Sequence, residues 1–324
     1  MLNRRTLLLA IISASALSAA DWDPAAAARY LDGRQQEWFA WKRAQTPEGT
    51  CVSCHTGMPY LLARPALRKT LREAQPTEWE SKLLDRLRDN AGHERKVNIQ
   101  GPEAIFGALF LSREDPHSRA SQAAQFQLRD LQLKEGPMMG ILQWYDAKLE
   151  PWESQNAFSW GAALSGLSGM VDVPHTVAWL REHRNELTLH SRLAMLWASP
   201  KMPGLLEENE RKALISEVLR KQQPDGSWTI QSLGEFMPHP DAPAQPEGGH
   251  PYATAYTAFI LRQAGAPEAK AAVGKAQAWL KASQDKATGS WFAPSMNKKY
   301  PDGSMESKFM ADAATSFAVL ALSE

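Results

Sequence analysis

The chain has 324 residues, 44% of them apolar, with 36 Lys plus Arg against 36 Asp plus Glu. That apolar content excludes a disordered chain. The zero net charge gives no support to a basic nucleic-acid-binding surface, and the length lets a core form without disulfide staples. Residues 1–20 read as an export signal. Arg4 and Arg5 precede the uncharged stretch from Thr6 to Leu17, and Ser18, Ala19 and Ala20 supply the small residues before a cut at Asp21. The alternative is an uncleaved N-terminal anchor, but the stretch is short for a membrane span, and no other run reaches the roughly 18 apolar residues a span needs. The expected mature chain is one domain, residues 21–324, in the periplasm, with a net charge of −2 and no stable membrane span.

Next in the chain come its only two cysteines, in Thr50-Cys51-Val52-Ser53-Cys54-His55. C-x-x-C-H is the attachment sequence of c-type haem. Two thiols at this spacing reach the two vinyl groups of one porphyrin edge. The adjacent imidazole swings under the iron, and one helical turn starting at Cys51 meets these demands. The expected cofactor is therefore one covalent haem c on Cys51 and Cys54, with His55 as the proximal iron ligand. A redox dithiol would want a βαβ setting, and zinc would want a second ligand pair; a local disulfide is the third alternative. The segment resembles the attachment site of c-type cytochromes over these few residues.

The rest of the chain alternates two kinds of helix. Charged, amphipathic segments are expected to form an outer layer: 25–43, 77–90, 118–131, 173–184, 207–222 and 268–284. Segments that are apolar nearly all round are expected inside: 54–66, 102–112, 153–167, 187–199, 251–263 and 308–322. No alternating strand pattern stands out. An internal repeat supports the alternation. "LRKQQPDGSW" at 219–228 and "LKASQDKATGSW" at 280–291 share Leu-x-x-x-Gln, a polar spacer and Gly-Ser-Trp.

The string Lys275-Ala276-x-x-Trp279-Leu280-x-x-x-Gln284, then Gly289-x-Trp291, is similar to the QW repeat of squalene–hopene and related terpene cyclases. The resemblance implies an all-α fold, an α/α toroid of about six helix pairs in two rings. It gives Gln223, Trp228, Gln284 and Trp291 a structural role. The acidic D-x-D-D string of the cyclases is absent, so the resemblance brings no cyclase chemistry. Glu103, Glu153 and Asp312 are candidate acids by position, and Asp312 stands alone in the sequence.

In such a toroid the inner helices all start at one mouth. His55 would lie there near His190 and His250, and the haem would sit in or over the opening. His250 is the first candidate for the distal iron ligand and His190 the second; Met138 and Met139 also reach that end. The function expected is an exported mono-haem c-type cytochrome carrying electrons to a redox partner protein in the periplasm. The alternatives are a peroxidase- or oxygenase-type haem enzyme acting on a small apolar ligand in the barrel, and a haem-based gas sensor. The sequence does not decide between enzyme and carrier.

Overall fold

A computed structural model describes residues 21–93, 97–131, 152–169, 173–235 and 240–323. The export signal and the two methionines at 138 and 139 lie outside these residues. The described residues form twelve α-helices: α1 Pro24–Ala40, α2 Gly57–Leu71, α3 Glu78–Asn90, α4 Val97–Glu114, α5 Arg119–Asp130, α6 Trp152–Leu167, α7 Val173–His183, α8 Leu189–Ala198, α9 Glu208–Arg220, α10 Pro251–Ala264, α11 Lys270–Ser283 and α12 Phe309–Leu322. None is long and apolar enough to cross a membrane.

Local chemistry sets the helix ends. Asp23 caps α1, its carboxylate accepting from the Ala26 N–H with Pro24 in the first turn. Thr77 and Glu80 form a reciprocal capping box on α3. Gly265 closes α10 in the left-handed conformation. The even-numbered helices are the inner ones. Every residue of α10 from Tyr252 to Leu261 is buried, as is almost all of α12. The odd-numbered helices bury only a stripe, such as Leu83 and Leu87 of α3 or Ala124 and Leu128 of α5. Helix α4 packs on α6, α6 on α8, α8 on α10, α10 on α12, and α12 on α2. The last inner helix thus meets the first.

The repeat explains the closure. Trp228 and Trp291 are wholly buried. The indole N–H of Trp228 donates to the Val218 carbonyl (2.9 Å), and that of Trp291 to the Leu280 carbonyl (2.8 Å). Their backbone N–H groups donate to Thr254 and Thr315 on the inner helices that follow, each at 3.0 Å. Each tryptophan therefore pins an outer helix to the next inner one. Each loop also seats on the next outer helix. A Cβ on Gly226 would stand 2.7 Å from the Lys275 carbonyl oxygen of α11, and one on Gly289 would collide with the backbone of Ala26 in α1. Gln284 completes the seam: its amide accepts from the Asp23 N–H (2.7 Å) and donates to the carbonyls of Asp23 (3.0 Å) and Gly289 (2.9 Å).

Three expectations need correction. The glutamine equivalent to Gln284 is Gln222, which donates to the carbonyls of Gly226 and Ala272 (2.8 Å each); Gln223 is exposed. Two short strands do exist. β1 Gln45–Thr46 and β2 Gly49–Thr50 form an antiparallel hairpin just before the cysteines. Helix α2 starts at Gly57, so Cys51–His55 is a turn ahead of the helix and not its first turn.

Candidate functional site

The cysteine turn is held from three sides. Behind Cys51, the Trp38 indole donates to its carbonyl (2.7 Å), and its N–H donates to Ala44 (2.8 Å). Within the turn, the Ser53 hydroxyl accepts from the N–H groups of His55 (3.1 Å) and Thr56 (3.0 Å). These two bonds fix the turn from Ser53 to Thr56. Ahead of the turn, Gln35 donates to the Thr56 carbonyl (3.0 Å). Both cysteines are half-buried and neither is in a disulfide. Cys51 packs near Trp38, Met305 and Phe309. The His55 ring stacks on Phe309, centroids 4.7 Å apart, and burial lowers its pKa to about 4, so the imidazole is neutral.

Two of the predicted acids hold this turn in place. Glu103 accepts from the Val52 N–H (3.3 Å) and the Asn90 amide (3.0 Å). Asp312 is 1% exposed and is not alone. It accepts from Arg34 through Nε (2.7 Å) and Nη2 (3.0 Å), from Tyr30 OH (2.9 Å) and from Thr56 Oγ1 (2.9 Å). Four donors with a forked guanidinium among them are the surroundings of an ionised carboxylate. Burial pushes the Asp312 pKa up, and Arg34 works against that. Both carboxylates are thus spent on structure. Glu153 lies on α6, whose first residues carry no described side chains.

A second cluster lies where α8, α10 and α12 meet. The His190 ring stacks on Tyr256 (4.5 Å) and Tyr252 (5.9 Å), and its Nε2 is hydrogen-bonded to Tyr252 OH (2.8 Å). Phe317 meets both tyrosines edge-on, at 5.8 and 5.1 Å. Trp160 of α6 stands 6.5 Å from His190. Rings from four successive inner helices converge here, which places them on the inside of the ring. Burial lowers the His190 pKa to about 3 and pushes Tyr256 up. His250 caps α10, its Nδ1 accepting from the Ala253 N–H (3.5 Å), and burial lowers its pKa to about 4. The ring order places the starts of α8, α10, α12 and α2 side by side. The described contacts set His55 against Phe309, and His190 against the tyrosines. Sequence reasoning missed Arg34, whose role depends on a partner 278 positions away.

Two concentric layers of alternating helices, closed by tryptophan-bearing loops, define an all-α toroid of the terpene cyclase type. Solved structures share that fold across most of the chain. The type II terpene cyclase MstE from Scytonema, in its apo form, is 13% identical; the match covers 93% of this chain and 98% of that one, with a TM-score of 0.51. A variant of MstE bound to its product, merosterolic acid A, is 14% identical, with 92% and 96% covered and a TM-score of 0.52. A further variant, bound to the substrate geranylgeranyl dihydroxybenzoate, is 13% identical, with 92% and 97% covered and a TM-score of 0.51. No family profile or curated protein sequence matches the chain.

These findings correct the expected function. The C-x-x-C-H motif leads one to expect an exported electron-carrying cytochrome, with a haem peroxidase or oxygenase and a gas sensor as alternatives. The likeness that covers 92% of the chain is instead to cyclases solved with substrate and product. Among the described residues no three His, Cys, Asp or Glu gather as a metal site.

Proposed function

We propose that the chain is a terpenoid-binding protein built on the type II cyclase fold. The supporting observation is the convergence of Trp160, His190, Tyr252, Tyr256 and Phe317 from four inner helices. Such a lining offers flat apolar faces to a prenyl chain and one neutral polar pair, His190 with Tyr252, to an oxygen on it. The test is titration of the purified chain with geranylgeraniol, followed by tryptophan fluorescence. Saturable quenching that weakens in Tyr256→Ala and Phe317→Ala supports the reading. No response to any prenyl compound overturns it.

A covalent haem c at the mouth is a separate proposal, supported by the C-x-x-C-H turn. The residues fit: two half-buried thiols on a pinned turn, followed by a neutral imidazole. Cys51 and Cys54 would hold the porphyrin and His55 the iron, and the bound group supplies an iron centre. On the distal side His250 is proposed first and His190 second. Each would surrender a bond: His250 its cap on Ala253, His190 its bond to Tyr252. Haem c is attached outside the cytoplasm, so this proposal goes with export by residues 1–20 to the periplasm. Expression with the haem c maturation machinery tests it. A haem-sized mass gain that survives denaturation, and is lost in Cys51→Ala/Cys54→Ala, is expected; an unmodified chain overturns it.

A further inference from the structure

Met305 stands beside the cysteine turn. It directly precedes the short turn Glu306–Lys308 that leads into α12. It is buried in a small apolar cluster with Trp38 and Ala44, separate from the main core. Cys51 and Phe309 pack against that cluster, and Phe309 is the ring on which His55 stacks. A thioether, a thiol and an imidazole thus share one wall at the start of α12.

The sulfur is held in place. The buried Arg34 guanidinium donates through Nη2 to Met305 Sδ (2.8 Å) and to the Met305 carbonyl (3.1 Å). Through Nε and Nη2 it also binds Asp312, which accepts from Thr56 at the end of the turn. One buried cation therefore ties the methionine and the cysteine turn to a common frame. A long side chain already fixed loses less entropy when it takes a ligand. A thioether sulfur has two lone pairs, so the bond from Arg34 leaves one for a metal. The two histidines start elsewhere. His190 is bonded to Tyr252 and stacked on tyrosines, and His250 is folded over the end of α10. Each would give up its bond to reach an iron, whereas Met305 already packs in the cluster that Cys51 touches.

We infer that Met305, ahead of either histidine, is the distal ligand of the haem proposed on Cys51 and Cys54. The inference rests on that haem reading. A sulfur opposite an imidazole favours the reduced iron and raises its potential. The test uses the full chain expressed with the haem c maturation machinery. Its oxidised form should show the weak far-red absorption of a sulfur–iron bond. Met305→Leu, close in volume, should keep the covalent haem, lose that band and lower the reduction potential. Met305→His should return a low-spin spectrum without the band, a rescue that a merely structural methionine would not give. His250→Asn, which still caps α10, should keep the band. A haem-bearing chain without the band, a band that survives Met305→Leu, or one lost in His250→Asn overturns the inference and leaves the haem reading standing. A chain that takes up no haem overturns both.

Discussion

Gln222 and Gln223 are adjacent and chemically identical, yet only one holds the fold. The amide of Gln222 bridges its own loop and α11, while Gln223 lies in water. The Leu-x-x-x-Gln spacing points to Gln223 because it pairs Leu219 with Leu280, whereas the indole bonds pair Val218 with Leu280 and shift the glutamine by one. Gln222→Ala should therefore cost about 1–2 kcal/mol in urea unfolding. Gln223→Ala should stay within about 0.5 kcal/mol. The histidines offer a second check. His55, His190 and His250 have folded pKa values near 4, 3 and 4, below the ordinary ~6.5. The unfolded chain takes up these protons first. The stability they contribute is present above about pH 6.5 and drains away as pH falls toward 4. Thermal midpoints should drop across that window, and His190→Phe should flatten the drop; a midpoint constant from pH 7 to 4 would contradict the burial of these rings.

At the scale of elements, most of the architecture was legible. Both layers followed from composition, because a helix buried all round and a helix buried on one stripe differ in every turn. The start of α2 was not legible. The haem-attachment spacing suggests helix from Cys51, but the chain there forms a turn tied by the Ser53 hydroxyl, and the helix begins at Gly57. The Gly-Ser-Trp loops were visible as a repeat, but not the reason for their glycine. Gly226 has φ +95° and Gly289 φ +78°, and both face the backbone of the next outer helix. Alanine at either position meets both a disfavoured backbone and a collision. Each substitution should cost at least ~1–3 kcal/mol, with Gly289→Ala loosening contacts at the chain's first helix. Hydrogen exchange in α1, compared between the two variants, distinguishes that coupling from a purely local effect.

For the whole molecule, function was harder to read than fold. The alternation of two helix types runs over much of the sequence, so the toroid announces itself many times. The ties that hold the cysteine turn are each written only once, between residues far apart: Asp312 finds Tyr30, Arg34 and Thr56 at separations of 282, 278 and 256 positions. No local pattern exposes such a set. The ring is also expected to unfold as one unit. Helix α12 packs on α10, α2 and α1, so removing residues 309–324 should abolish the cooperative transition altogether rather than fray one end. Near-ultraviolet circular dichroism of the truncated chain reads this directly; a sharp transition at reduced temperature would contradict it.

The seam also has a consequence in time. Asp23 waits for Gln284, and Thr56 waits for Asp312. A ribosome makes the first partner of each pair long before the second, so the newborn chain spends most of its synthesis with its opening helix undocked. The last helix made is the one that lets the first come to rest. Until then the cysteine turn stands without the last helix that holds Thr56 in place.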